Sequence, residues 1–205
     1  FQRDMTTNNT RSGKEVRISN SHNIFGRERE TVDTAYAGDI IGFITNADFR
    51  IGDTLSSDPQ LVFREIPRFA PECFAYLQNS SISAYKSYKK GLDHLLAEDI
   101  VQSFFPENGP GNMPLLGAIG PLQFEVMQYR LKDEYGVDTS MEMKTWSVLR
   151  WLEPTVTKDT ELYLPNGCAR GADDRGRQVL FFRDNWLMQY FIEKNPDVKL
   201  YDSPV

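Results

Sequence analysis

Three lysines could bind phosphate from one side of a predicted helix. Lys86, Lys89 and Lys90 are spaced at i, i+3 and i+4, so a helix over residues 82–97 places their ammonium groups on one flank. Clustered ammonium groups attract phosphate, and a nucleic-acid backbone is a ligand that fits such a patch. The same spacing is also typical of an ordinary solvated helix face. Contact with RNA at these lysines is therefore a hypothesis.

A second basic set lies near the N-terminus, among residues predicted to form strands. It consists of Arg11, Lys14 and Arg17. The net charge of the chain is −6, which opposes general affinity for nucleic acid, because dedicated nucleic-acid binders are usually basic. Any contact with RNA would need a local patch, and these residues are the second candidate for one.

Residues suited to catalysis or metal binding are sparse. The two cysteines, Cys73 and Cys168, are far apart, and the only histidines are His22 and His94. A structural zinc site needs about four clustered ligands, and no such cluster is present in the sequence. We expect no metal site and no catalytic residue in this chain.

The sequence also lacks a nucleotide-binding loop. Residues 13–15 read Gly-Lys-Glu, without the hydroxyl residue and the earlier glycine of a phosphate-binding loop. Residues 117–120 lie at a strand-to-helix junction but lack a third glycine, and Pro121 removes an N–H that would face phosphate. We therefore predict no GTPase site and no nucleotide-binding residue of the chain's own.

Residues 1–68 are predicted to form a small β-barrel domain. Short apolar runs alternate with turns rich in glycine, serine and asparagine, a pattern typical of small barrels. These runs span 16–18, 40–44 and 61–63. Pro67 and Pro71 then indicate a hinge before the next domain.

Residues 69–205 are predicted to form one α+β domain. Its elements follow the order strand, helix, strand, strand, helix, strand, which is that of a ferredoxin-like split βαβ fold. The strands are predicted at 72–77, 100–105, 115–119 and 137–151, and the helices at 82–97 and 122–135. Ser80 and Ser81 are predicted to cap the first helix, and Gly136 to end the second.

The second predicted helix carries two apolar stripes. One stripe is Leu122, Val126 and Tyr129, and the other is Phe124, Met127, Leu131 and Tyr135. A helix that is apolar on two sides is usually covered on two sides. We expect one stripe to pack on the sheet and the other to meet a neighbouring element.

Residues 154–205 are predicted to be a C-terminal αβ extension of this domain. A strand is predicted at 179–182, and Asp184 is predicted to cap a following helix. Residues 168–177 are predicted as a polar loop whose two adjacent aspartates form a solvated turn. The extension is too small to be a separate domain, so we expect it to pack against the outer stripe of the second helix.

Motifs in separate places resemble a known family. GDIIG at 38–42 and IGDT at 51–54 resemble the second domain of translational GTPases, which is a β-barrel. IPRFAPECF at 66–74, GAIGPLQFEV at 117–126 and RLKDEY at 130–135 resemble the bacterial peptide chain release factor 3 family more narrowly. The resemblance covers nearly all of residues 13–201, and it is weakest at 165–175.

This resemblance implies the C-terminal part of a translation termination GTPase. The GTPase domain, which would hold GTP and magnesium, would precede residue 1. The implied partners are the ribosome (its RNA and proteins), the factor's own GTPase domain and, indirectly, the class I release factors that it helps to release from the ribosome. The implied location is the cytoplasm, with no membrane partner. The two basic sets would then be candidate ribosome contacts.

Two alternatives remain open from the residues themselves. The chain could be a fragment of another ribosomal GTPase, such as elongation factor G. It could also be a small-molecule-sensing regulatory module built on a ferredoxin-like domain, with the barrel as a partner module.

Overall fold

The chain forms two compact units in a computed structural model. Residues 1–25, 28–47, 49–63, 69–111 and 113–204 are described. The units are Phe1–Ile66 and Pro67–Val205. The predicted domains, 1–68 and 69–205, divide the chain at a similar place. Because residues 64–68 lie outside the described ones, the predicted hinge at Pro67 stays a prediction.

The first unit is made of short antiparallel strands. They are β1 (Thr6–Asn9), β2 (Lys14–Arg17), β3 (Asn20–Phe25), β4 (Glu28–Thr31), β5 (Ile41–Ile44) and β6 (Leu55–Ser56). Among the described residues these strands form two three-stranded sheets, in the orders β2-β1-β6 and β4-β3-β5. The described pairings leave these sheets separate, so the closure of a barrel stays a prediction. The strand predicted at 61–63 is wrong, because these apolar residues are exposed and unpaired with any described strand.

Polar side chains share the small core of this unit. Asn9 is 1% exposed, and its amide donates a hydrogen bond of 2.8 Å to the Oδ2 atom of Asp53. The buried hydroxyl of Ser21 donates to the carbonyl of Val32 at 2.6 Å. Buried polar groups are tolerated when they are hydrogen-bonded in this way. The unit therefore depends on specific polar pairs as well as on apolar burial.

The described residues of the second unit form one eight-stranded antiparallel sheet and three α-helices. Its strands are β7 (Cys73–Asn79), β8 (Gln102–Pro106), β9 (Leu115–Ala118), β10 (Thr139–Met143), β11 (Val148–Leu152), β12 (Cys168–Asp173), β13 (Gln178–Phe182) and β14 (Leu200–Tyr201). Its helices are α1 (Tyr85–Ala97), α2 (Leu122–Tyr135) and α3 (Asn185–Lys194). The strand order is β10-β7-β9-β8-β12-β13-β11-β14.

Two predictions of strand content in this unit are wrong. The single strand predicted at 137–151 is two strands, because the chain leaves β10 at one edge of the sheet and re-enters as β11 beside β13. The loop predicted at 168–177 contains β12, which pairs with β8 on one side and β13 on the other. Polar residues usually indicate an exposed loop, but here Arg170 and Asp173 are buried with hydrogen-bond partners. The sequence pattern therefore does not indicate this strand.

The ends of the helices are partly as predicted. Neither predicted serine caps α1, because a 3-10 turn over Ile82–Ala84 precedes the helix and the hydroxyl of Ser81 lies 2.8 Å from that of Ser83. Gly136 does end α2, with a left-handed φ of 66° that favours glycine. The carboxylate of Asp184 caps α3 by accepting from the Leu187 N–H at 2.8 Å.

Helices α1 and α2 cover one face of the β10-β7-β9-β8 half of the sheet. Phe124, Met127 and Leu131 of α2 are fully buried there. The outer stripe of α2 is uncovered: Leu122 is 67%, Val126 41% and Tyr129 68% exposed. The expectation that the C-terminal extension packs on this stripe is wrong, because the extension continues the sheet beyond β8 and packs against the face opposite α1 and α2.

The opposite face of this half meets the C-terminal strands. Phe74 of β7 and Phe104 of β8 share an apolar cluster with Trp151 of β11 and Phe181 of β13. Helix α3 covers the other face of β11 and β13. The helices thus lie on the outer face of the sheet and the aromatic cluster on its inner face. Helix α1 therefore packs on a sheet whose other face is also buried.

Candidate functional site

The three predicted lysines lie together on the exposed side of α1. Tyr88, Leu92 and Leu95 of this helix are buried against the sheet and α2. Lys86, Lys89 and Lys90, here called the lysine flank, are exposed. The apolar spacing of α1 fixes which side is buried, so the lysines are displayed towards solvent.

The ammonium groups of the lysine flank are available to bind an anion. None of its three ammonium groups forms an ion pair with a residue that the structure describes. The surface formed by these side chains also includes Tyr85, Asp93 and His94. Since only one of these neighbours is a carboxylate, this side of α1 carries a local positive charge that can attract an anion.

His94 ties the end of this surface to the neighbouring helix. Its Nδ1 atom lies 2.9 Å from the hydroxyl of Tyr135 in α2, within hydrogen-bond distance. Gly91 lets the two helices approach closely, because a Cβ atom there would lie 2.7 Å from the Leu131 side chain. The helix that presents the lysines is therefore firmly attached to α2.

The second predicted set is not uniform. Arg11 forms an ion pair with Asp53, with an Nη2–Oδ2 distance of 2.9 Å, and Arg17 pairs with Asp4 at 3.0 Å. Lys14 is exposed at the start of β2. Arg11 thus has a structural role that the sequence analysis missed, because its partner lies far along the chain. This set is in the first unit, and the lysine flank is in the second.

A groove beside the lysine flank was not predicted. It lies between α1, β8 and the residues Pro110, Met113 and Pro114, has a volume of about 450 Å³, and is called the α1 groove below. Among its lining residues are Tyr85, Lys89, Asp93, Ser103, Phe105 and Met113. No pattern in the sequence indicates this groove, because its wall combines a helix, a strand and connecting residues that are separate in the chain.

Backbone N–H groups at the strand-to-helix junction, residues 117–121, are bonded within the chain. The side-chain oxygen of Gln123 accepts hydrogen bonds from the N–H groups of Ile119, at 2.8 Å, and Gly120, at 3.3 Å. These are donors that a phosphate at the start of α2 would otherwise contact. Gln123 therefore acts as an internal acceptor where a dinucleotide loop would hold its ligand.

Cys168 and Asp173 have structural roles in the second unit. Burial raises the pKa of the Cys168 thiol to about 12, which keeps it protonated and unreactive at neutral pH. The described residues contain no group of three or more potential metal ligands. The solvated turn predicted at the adjacent aspartates is wrong for Asp173, which is 4% exposed and accepts from Arg177 at 2.7 Å and from the Trp151 indole at 3.1 Å.

Among the described residues, no helix has both the length and the apolar character that crossing a lipid bilayer requires.

Comparison with known proteins gives consistent matches along the chain. Residues 1–58 match the family model described as elongation factor G domain 2. Residues 63–192 match the one described as class II release factor RF3, C-terminal domain. The order of the two matches follows the two units of the structure.

Curated relatives match almost the whole chain. A peptide chain release factor 3 from Gloeobacter violaceus is 42% identical over 98% of this chain, and one from a Cyanothece species is 39% identical over 98%. One from Trichodesmium erythraeum is 37% identical over 99%. The chain spans 38% of the length of the Gloeobacter relative. The chain belongs to the class II release factor RF3 family.

Proposed function

We propose that this chain is the ribosome-binding part of a translation termination GTPase that promotes the release and recycling of class I release factors. The observation that carries this proposal is the tandem match, with an elongation factor G domain 2 followed by a release factor 3 C-terminal domain. The relatives are named peptide chain release factor 3, which favours this reading over an elongation factor G fragment or a small-molecule sensor.

The architecture proposed for each unit agrees with that role. The order β10-β7-β9-β8 corresponds to strands four, one, three and two of a split βαβ unit with two crossover helices, which supports a ferredoxin-like core. The two small antiparallel sheets of the first unit support a barrel of the kind found in the second domain of translational GTPases. Both units would then present rigid surfaces to a large partner.

The lysine flank is proposed as a contact with ribosomal RNA. Its support is local: three exposed ammonium groups without described ion-pair partners, on a helix fixed to the sheet. Arg11, Lys14 and Arg17 are the second proposed contact. Lys14 is its most available charge, because both arginines have carboxylate partners.

The chemistry of GTP hydrolysis is assigned to a domain outside this chain. GTP and magnesium would bind that domain, and its nucleotide state would reach the ribosome through the two units described here. Further partners would be ribosomal proteins and, indirectly, the class I release factors, all in the cytoplasm. The 205-residue chain is accordingly expected not to bind GTP, and equilibrium dialysis with labelled GTP tests this. Binding at micromolar concentration would contradict the assignment.

Ribosome co-sedimentation tests the proposed function directly. The chain should pellet with ribosomes at low salt, and the fraction bound should fall as salt rises, because phosphate contacts release counterions. Replacing Lys86, Lys89 and Lys90 with Gln should weaken binding and flatten its salt dependence.

A charge-matched control distinguishes a specific contact at the lysine flank from a general effect of net charge on binding. Lys158, Lys194 and Lys199 are exposed lysines elsewhere in the second unit, and replacing them with Gln changes the net charge equally. Equal loss of binding in both variants would contradict a specific lysine-flank contact. Absence of co-sedimentation at any salt concentration would contradict the proposed function itself.

A further inference from the structure

The lysine flank and the α1 groove share one residue and one helix. Lys89 belongs to the flank and also lines the groove, and Tyr85 borders both surfaces. The groove volume of 450 Å³ lies within the range of about 300–1,000 Å³ that is usual for ligand pockets. A phosphate held by Lys89 would therefore have a pocket next to it that is large enough for a planar group.

We propose that the α1 groove binds one unstacked base of RNA whose phosphates lie on the lysine flank. This inference rests on the proposed function, and it adds a base-binding pocket to the phosphate contact suggested there.

The apolar lining of the groove supports a base as its occupant. Tyr85 is 58% exposed and Phe105 is 44% exposed, so both rings leave a surface that a ligand can cover. Met113 and two prolines add apolar contacts from the segment opposite α1. Single-stranded RNA is commonly recognised by stacking of splayed bases on aromatic side chains, beside cations that hold the backbone.

The polar groups of the groove predict a preference among bases. The carboxylate of Asp93 accepts hydrogen bonds but cannot donate one when ionised, and Ser103 can do both. Adenine, cytosine and guanine can donate to a carboxylate from an exocyclic amino group, and uracil from its ring N3–H. The larger purine ring of adenine stacks on more of the aromatic surface than uracil does, so we expect adenine to bind better than uracil.

Charge distinguishes an RNA occupant from a peptide. Three ammonium groups without described ion pairs lie on one side of the groove, against the single carboxylate of Asp93 on the shared helix surface. This balance favours a ligand that carries several negative charges along its length. A phosphate backbone has such charges at regular spacing.

Matched oligonucleotides test the inference with the complete 205-residue chain. Fluorescence anisotropy would compare three single-stranded RNAs of about six nucleotides: all adenosine, all uridine, and an adenosine strand whose central riboses lack bases. The adenosine strand should bind about fivefold or more tightly than the abasic strand, because the phosphates are the same and only the stacking differs.

Two variants test whether the base binds in the α1 groove. Tyr85→Ala and Phe105→Ala should each reduce the preference for the base-containing strand while leaving the salt dependence unchanged. Tyr129→Ala is the control, because it removes an exposed aromatic ring from α2 that does not line the groove. Circular dichroism of each variant confirms that it is folded, and either groove variant alone suffices if the other fails to fold.

The lysine variant gives a different result from the groove variants. With Lys86, Lys89 and Lys90 replaced by Gln, both strands should bind more weakly, with the salt slope reduced by up to about two. The preference for bases should remain. Unchanged affinity in this variant would overturn the proposed lysine contact and the inference with it.

Three further outcomes would overturn the base pocket alone. These are equal affinity of the wild-type chain for the adenosine and abasic strands, a preference that persists in both groove variants, and no measurable binding of any strand. In each case co-sedimentation with ribosomes still decides the proposed function separately.

Discussion

The ring of Phe74 in β7 lies 5.4 Å from the ring of Phe181 in β13, in an edge-to-face arrangement. Four strand spacings separate these strands in the sheet order, which in a flat sheet would be about 19 Å. The sheet must therefore curl strongly to bring the two rings together. Edge-to-face pairs of this kind are favourable because the positive edge of one ring meets the negative face of the other.

Phe181→Ala should destabilise the second unit by about 3–5 kcal/mol, as is usual for a buried phenylalanine. Phe181 is 0% exposed and contacts the rings of both Phe74 and Phe104, so the substitution leaves a cavity where the sheet closes on itself. Urea denaturation measures the loss. Phe105→Ala is the matched control, since that ring is largely outside the core, and a similar cost in both variants would contradict the curled-sheet core.

Asp53→Asn should destabilise the first unit and change its response to acid. Burial alone would raise the pKa of Asp53, but hydrogen bonds from Arg11, the Arg50 N–H and Asn9 outweigh it and lower the pKa to about 2. The folded-state pKa is then below the ordinary value of 3.8, so the ionised carboxylate stabilises the fold above about pH 4. That stabilisation, at most about 2 kcal/mol, is lost as the pH falls towards 2.

Urea denaturation at several pH values checks this linkage. The difference in free energy of unfolding between wild type and Asp53→Asn should shrink as the pH falls from about 4 to about 2. Asp33→Asn is the control, because Asp33 pairs with Arg3 at 3.3 Å with its side chain 78% exposed. Exposed pairs contribute about 0–1 kcal/mol, and a constant difference across pH for Asp53→Asn would refute its special role.

Gly171→Ala should cost about 3 kcal/mol by forcing β12 away from β8. A Cβ atom at this position would lie 2.6 Å from the carbonyl oxygen of Phe105 and 2.8 Å from the Cα atom of Pro106. These are backbone atoms of the paired strand, so they cannot move without disturbing its hydrogen bonds. Thermal denaturation measures the cost. Gly120→Ala, where the added Cβ meets nothing within 4 Å, should be nearly neutral.

Truncating a side chain should reduce stability much more on the buried side of α2 than on its exposed side. Met127 is 0% exposed, so Met127→Ala should cost about 2–5 kcal/mol. Val126 is 41% exposed, and Val126→Ala should change stability by about 0.5 kcal/mol or less, because its contacts are few. Urea denaturation of both variants checks the difference. A large cost for Val126→Ala would mean that the outer stripe is covered in solution.

Local patterns predicted the second unit best. The spacing of apolar residues located α1 and α2 within a few residues, and Gly136 marked the end of α2 because only a left-handed residue suits that position. Asp184 likewise identified the start of α3. These features depend on neighbours in the sequence, so they can be inferred without knowledge of the tertiary fold.

Features that depend on distant partners were missed. The sequence predicts an RNA contact for Arg11 and does not indicate its ion pair, because Asp53 lies 42 residues away. The sequence predicts a loop where β12 lies, because the polar residues of this strand show no alternating pattern, although Arg170 is buried and donates to the carbonyl groups of Thr157 and Thr160. Spacing also could not show that the outer stripe of α2 is uncovered, since it identifies a face but not its neighbour.

The position of β12 has a consequence for solubility. Without this strand, β8 would end the sheet with unpaired N–H and C=O groups beside the exposed ring of Phe105, which is a template for pairing with another copy of the chain. The actual edges are better protected: β14 has two residues, and β10 carries Glu142. The C-terminal strands thus protect the chain against aggregation, and loss of residues 154–204 would leave an aggregation-prone sheet edge even if α1 and α2 still formed.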